Sequence, residues 1–258
     1  MSNVIAGFLV GLLVGFAGVG GGSLMTPLLV LLFGVAPATA VGTDLLVAAA
    51  NKTVGGFVHG VRGAIDWRVA CRLWLGSVPA ACVTLYFIRQ LQPRADFGGV
   101  LMHLVGWALL ITGTVLIFQT RLHQHRSVRM IYESRLQFAQ PAFTTLSGAL
   151  VGALVTMTSI GAGALTAVML VYLYPYRLTP PKLVATDLVH AIPVSLIAGL
   201  GHVRLGNVDF SLLEMLLIGS IPGVLLGSRL SHLVAPRVLR IAIALLLLAL
   251  GVRMLFAA

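Results

Sequence analysis

Lys52 sits in the middle of a long apolar stretch, residues 37–59, with Asn51 beside it. A charged side chain at the centre of a membrane helix costs roughly 2.5–3.5 kcal/mol on insertion scales, so it faces a cavity or a partner. Lys52 either neutralises an anion or pairs with Asp44 or Asp187. On a helix, Lys52 and His59 share a face, and Asp44 and Asn51 share a neighbouring one. Asp187 and His190 stand three residues apart, close enough to hydrogen-bond on one helix. A carboxylate and an imidazole inside a membrane form either a proton relay or a polar pair that orients two helices. Asp44, Asp187, His190, His59 and His202 make up this set. His59 and His202 fall near segment ends, where a solvated, interfacial histidine is expected.

A second kind of chemistry comes from the backbone. Gly18-Val19-Gly20-Gly21-Gly22-Ser23 is followed by Thr26-Pro27. A triple glycine makes a poor helix interior and lets other groups approach closely. A helix restarting at Ser23 would aim free N–H groups and the positive end of its dipole at the break. Half-helices of this kind hold anionic substrates in transporters. Ser159-Ile160-Gly161-Ala162-Gly163 is the counterpart in the second half. Tight helix packing through small residues is the other reading. No Gly-Lys-Ser/Thr follows, so the run is not a phosphate-binding loop. The candidate binding residues are therefore Gly20, Gly21, Gly22, Ser23, Thr26, Asn51, Lys52, Ser159, Gly161, Gly163 and Ser195, the last standing where the first half carries Lys52.

These residues belong to a chain of 258 that is 59% hydrophobic and 9% charged, with a mean hydropathy of +1.02. Soluble domains carry about 25% charged residues. A soluble domain, a disordered chain and a secreted disulfide scaffold are excluded, and an all-α polytopic membrane protein remains. The formal charge is +10, with 17 Lys and Arg against 7 Asp and Glu. Without a soluble domain to cluster on, that surplus marks loops rather than nucleic-acid binding. Cys71 and Cys82 lack metal-ligand spacing and read as small buried thiols. No motif calls for a cofactor or a metal. The N-terminus has no charged leader region or cleavage site and reads as the first membrane segment.

A membrane helix needs about 20 apolar residues. That ruler finds eight segments: 3–33, 37–59, 66–88, 97–118, 139–174, 181–202, 209–230 and 236–257. The polar stretch 119–138 carries Arg121, Arg126, Arg129 and Arg135. It divides the chain into a first repeat (1–118), a basic cytoplasmic loop (119–138) and a second repeat (139–258). An offset of 143 superposes Thr43-Asp44 on Thr186-Asp187, His59 on His202, Asp66 on Asp209 and Gly76-Ser77 on Gly219-Ser220. An offset of 141 superposes the two glycine-bearing runs. Asp66 and Asp209 sit where they cap the helix that follows, and Arg62 and Arg204 anchor topology. Duplicated halves point to a secondary transporter whose site lies where the halves meet.

Segments 3–33 and 139–174 are too long for one simple crossing, since 30 helical residues span about 45 Å. If each crosses once, Lys and Arg divide nine against seven. If each enters, turns at its glycines and returns, they divide twelve against four, with Lys52 inside the membrane. The positive-inside rule selects the re-entrant layout. It puts both termini outside, the central loop in the cytoplasm and three full crossings in each half, so the repeats are inverted. The first arm of 139–174 is long enough to span and must tilt.

The Gly-x-Gly-Gly-Gly-Ser-x-x-x-Pro run at 18–27, the Gly-Thr-Asp and Ala-Thr-Asp steps at 42–44 and 185–187, and the His…Gly-x-x-Asp ends at 59–66 and 202–209 together resemble the sulfite exporter TauE/SafE family of membrane transporters. The resemblance covers both halves. It implies an integral inner-membrane protein, embedded in lipid, that moves small sulfur-containing anions such as sulfite or organosulfonates, generally outward. Gly161-Ala162-Gly163 replaces the triple glycine in the second half, and no proline stands at the equivalent of Pro27. The leading expectation is a secondary transporter working by alternating access, and not an enzyme. A passive anion channel of the same architecture differs only in kinetics. An intramembrane hydrolase would need Ser23 or Ser159 paired with His190 or His202. Oligomeric state, coupling ion and the exact anion are not written in the sequence.

Overall fold

The structure is a computed structural model and describes residues 2–17, 24–60, 65–122, 139–161, 163–174, 177–230 and 236–257, with backbone alone for 2–3, 17, 57–60, 119–122, 236–237 and 257. The described residues form ten helices: α1 (Ser2–Ala17), α2 (Met25–Phe33), α3 (Pro37–Gly60), α4 (Trp67–Leu91), α5 (Phe97–Leu122), α6 (Gln140–Thr158), α7 (Ala164–Leu173), α8 (Pro180–Arg204), α9 (Phe210–Leu230) and α10 (Pro236–Ala257). Among the described residues, six helices are long and apolar enough to cross a membrane: 67–91, 97–118, 140–158, 180–204, 210–230 and 238–256. The expected segments 3–33 and 139–174 are each split in two, giving α1 with α2 and α6 with α7. α3 is 24 residues long but is not among the six. Asp44, Asn51 and Lys52 interrupt its apolar run.

The second split is visible in backbone detail. Ser159 (φ 58°) takes the left-handed conformation that ends α6, and Gly161 (φ 111°) and Gly163 (φ 134°) turn the chain before α7. L-residues with a side chain seldom adopt such values, so the glycines are required there. The two ends of the broken segment then meet. Gln140 Nε2 donates to the Leu173 carbonyl at 3.0 Å, and the Thr144 and Tyr174 hydroxyls lie 2.8 Å apart. α7 therefore returns toward the face on which α6 begins.

The packing is built on small residues. Gly11 of α1 lies against the backbone of Ser220 in α9, and Gly152 of α6 lies against the backbone of Ser77 in α4. A Cβ at either glycine would run into the facing carbonyl oxygen. With little hydrophobic drive between helices in lipid, such close backbone approach supplies the packing energy. The outward faces are apolar: Leu75, Tyr86, Trp107, Leu245 and Phe256 are exposed. Threonines and serines such as Thr43, Ser77, Thr156, Thr186 and Ser220 are buried inside. Cys71 and Cys82 are free and exposed on α4, which corrects the expectation of buried thiols. In a lipid-surrounded bundle, an apolar thiol loses nothing by facing outward.

Helix caps pin the ends. The Asp66 carboxylate accepts from the Val69 N–H at 3.2 Å, and Asp209 from the Leu212 N–H at 3.0 Å, as the sequence led one to expect. Their own amides donate across the molecule, Asp66 to Thr186 Oγ1 at 3.0 Å and Asp209 to Thr43 Oγ1 at 3.2 Å. Asp66 also holds Arg177 through two bonds of 2.6 and 2.8 Å, so the α3–α4 and α7–α8 connections share one face. Gln92 donates to Asn207 Oδ1 at 3.0 Å and to the Leu205 carbonyl at 3.2 Å, so the α4–α5 and α8–α9 connections share another.

Candidate functional site

α3 and α8 pack on each other and carry every buried Asp, Lys and His among the described residues. On α3, Asp44, Val47, Ala48, Asn51 and Lys52 recur at helical spacing and line a small, partly open cavity with Val10 and Val14 of α1 and Met25 of α2. Lys52 is 4% exposed. Among the described residues it forms no ion pair, although Asp44 and Asp187 both lie within electrostatic reach of it. The sequence left Lys52 either paired or free for an anion. Its ammonium group is within electrostatic reach of two carboxylates and forms a salt bridge with neither, at the wall of that cavity. Asn51 is held from the other side, because Ser220 Oγ donates to its Oδ1 at 3.0 Å.

The two aspartates differ. Asp44 Oδ2 accepts from the Thr26 N–H at 3.2 Å and from Thr26 Oγ1 at 2.6 Å. Thr26 stands in the first turn of α2, so the carboxylate caps that short helix and meets the positive end of its dipole. Asp187 faces Thr166 in the first turn of α7. There Asp187 Oδ1 and Thr166 Oγ1 both lack a hydrogen-bond partner. Ser159 Oγ faces Asp44 and likewise closes no bond. Ser195 Oγ is buried without a partner. Buried polar groups are nearly always paired, so the unfilled oxygens of Ser159 beside Asp44 and of Thr166 and Asp187, with both carboxylates in electrostatic reach of Lys52, leave capacity for a ligand.

The histidines correct the expected pairing. His190 does not bond Asp187. Its Nε2 lies 3.0 Å from Ser77 Oγ, its Nδ1 has no partner, and its carbonyl accepts from Trp74 Nε1 at 3.1 Å. His202 is buried rather than interfacial, with Nε2 3.0 Å from the Thr156 carbonyl. That carbonyl is free because α6 ends there: the Ile160 N–H turns to Thr158 Oγ1 instead of closing the next helical bond. His202 thus satisfies an orphaned acceptor at the break. Asn207 Nδ2, 3.4 Å from His202 Nδ1, links it to Gln92. Gly20, Gly21, Gly22 and Ser23 lie outside the described residues, as does the side chain of His59. Gly161 and Gly163 form the second break.

Of the residues the hydrolase reading would use, Ser159 is unbonded and His202 is committed to a carbonyl, while His190 bonds Ser77 with no third group orienting its Nδ1. No cluster of His, Cys, Asp or Glu suited to a metal occurs among them either. Sequence reasoning missed Thr166, Ser77, Ser220 and Thr156 as neighbours of the polar groups. Ser77 and Ser220 are marked in the sequence by their repeated Gly-Ser step, whereas nothing local singles out Thr166 or Thr156.

On one outer face, burial works to raise the Asp66 carboxyl. The bonds from Arg177 and the Val69 amide, with the guanidinium charge, outweigh it and hold the carboxyl below the usual carboxylate range. Arg177 also stacks over the Tyr174 ring at 5.8 Å, and Arg72 donates to the Tyr174 hydroxyl at 3.2 Å.

The chain is similar to proteins described as probable membrane transporters. A probable membrane transporter of Bacillus subtilis (strain 168), YjnA, is 34% identical over 98% of this chain and 99% of its own length. A second from the same organism, YdhB, is 28% identical over 99% of this chain and 100% of its own. A probable membrane transporter of Methanocaldococcus jannaschii is 26% identical over 98% of this chain and 94% of its own. No solved structure matches the chain. The family model described as sulfite exporter TauE/SafE matches residues 3–254. An all-helical bundle with a buried lysine at a central cavity, matched by that family over nearly its whole length, belongs to the TauE/SafE family of membrane transporters.

Proposed function

We propose that the protein moves a small sulfur-containing anion, sulfite or an organosulfonate, outward across the bacterial inner membrane by alternating access between two inverted halves. The observation that carries the reading is Lys52, a buried ammonium that forms no ion pair among the described residues, at the wall of the cavity. A cation held in that condition costs stability unless an anion visits it. Unfilled hydroxyls at Ser159, Thr166 and Ser195 supply further donors, and the Gly20–Ser23 run joins two of the helices that line the cavity.

Cross-molecule contacts support the inverted, re-entrant layout. The Asp66–Thr186 and Asp209–Thr43 bonds are related by the offset that relates the two halves. So are the Gly11–Ser220 and Gly152–Ser77 contacts, allowing for the shorter offset of the first segments. In the single-crossing layout Asp66 and Arg177 would lie on opposite sides of the membrane, as would Gln92 and Asn207. Both pairs are bonded. The positive-inside partition then assigns the Asp66–Arg177 face to the cytoplasm and both termini to the outside.

In proteoliposomes under an imposed membrane potential, the purified protein will carry sulfite, thiosulfate or a simple sulfonate with saturable kinetics. Lys52→Gln will reduce that flux at least tenfold. Flux of none of these anions under any gradient overturns the reading, and non-saturating flux at channel rates replaces the carrier with a pore.

A further inference from the structure

We propose that Asp187 takes up a proton when the anion binds at Lys52, so that proton and anion occupy the central site together. This rests on the anion-transport reading above and names what accompanies the anion.

Asp44 and Asp187 stand at equivalent positions of the two repeats, yet their oxygens are differently partnered. Asp44 Oδ2 accepts two hydrogen bonds from Thr26. The amide and the hydroxyl at that helix N-terminus are thereby committed to Asp44. Asp187, 1% exposed, has an oxygen with no donor, and Thr166 Oγ1 in front of it is also unbonded. A protonated Asp187 can donate to the idle hydroxyl, and an ionised one can accept from it. The side chain thus has a partner ready in either state.

The groups facing Asp187 decide the linkage. α3, α4, α6 and α7 pack on its helix. α3 presents Lys52, and α7 presents Thr166. α4 lies alongside with Trp74 and Ser77, both bonded to His190. α6 contains no ionisable residue. His190 stands one turn away on α8 itself and is bonded to Ser77 through Nε2, with Nδ1 open. Asp44, Asp187 and Lys52 sum to a charge of −1 when all are ionised, and such a centre repels an anion. One proton on Asp187 brings the sum to zero and leaves Lys52 with a single competing carboxylate. Anion binding then favours protonation and protonation favours anion binding, by the same factor. A metal cation such as Na⁺ is the wrong occupant, because the Lys52 ammonium group repels it.

The test uses the full-length protein in detergent and ethanesulfonate, whose own charge does not change across the neutral range. Calorimetry in buffers of different ionisation enthalpy will show one proton taken up per sulfonate bound. The affinity will weaken by about tenfold per pH unit on the alkaline side of the transition. Asp187→Asn will bind with an affinity that no longer varies with pH, while Asp44→Asn will keep the slope. Zero proton uptake by the unmodified protein overturns the inference without any variant, as does an unchanged slope in Asp187→Asn. If ethanesulfonate, sulfite and thiosulfate all fail to bind at every pH, the anion-transport reading itself falls, and this inference with it.

Discussion

At the residue scale, the site is defined by which polar atoms are satisfied. Asp44 Oδ2 is filled by Thr26, and that gives the carboxylate a part in holding α2 in place. Thr26→Val removes the 2.6 Å bond and leaves a buried acceptor half-filled. The loss should be about 1–3 kcal/mol, seen as a lower unfolding temperature in detergent, with anion selectivity unaltered. His202 is the reverse case, a histidine whose imidazole repairs a carbonyl left open by the end of α6. His202→Ala should lower the same unfolding temperature by a similar amount, because it re-exposes Thr156. Asn51, Lys52 and the break glycines were legible as site candidates from their types alone. The division between Asp44 and Asp187 was not, because it depends on Thr26 and Thr166, which lie in other helices.

At the element scale, α1 and α4 of the first half each pack through a glycine face on the other's counterpart in the second half. Gly11 on α9 and Gly152 on α4 leave no room for a side chain. Gly11→Val and Gly152→Val should each force the helix pair apart at about 1–3 kcal/mol. Size-exclusion profiles of the folded protein will show the loss. Gly98→Ala, where a Cβ meets nothing within 4 Å, should leave the profile unchanged. The glycines were visible in the sequence as a surplus, but whether they served substrate or packing was not. The structure assigns Gly11 and Gly152 to packing, and Gly161 and Gly163, at positive φ, to turning the chain.

At the scale of the whole molecule, the bonded pairs sort the connections onto faces. A reporter fused at position 36 should read as external and one within 119–138 as cytoplasmic, and a cytoplasmic signal at 36 would defeat the re-entrant layout. The Asp66–Arg177 pair gives a pH signature on the face that the α3–α4 and α7–α8 connections share. Its carboxyl is depressed in the folded protein, so its contribution is complete above the ordinary carboxylate pKa of about 4 and is lost as pH falls through the lower folded value. Thermal unfolding followed from pH 6 downward should show an acid-sensitive limb that Asp66→Asn flattens.

The membrane class, the duplicated halves as a hypothesis, the capping aspartates and the improbable Lys52 all follow from composition and spacing, since burial cost and helical periodicity act locally along a chain. The sequence also placed Asp187 and His190 on one helix face and invited a bond between them, which the fold replaces with His190–Ser77. Only the tertiary structure decided which cysteines face outward, which histidine is buried and which carboxylate is filled. Each of those outcomes is set by an atom contributed from a distant segment, and the distances between segments are fixed by packing rather than by sequence order.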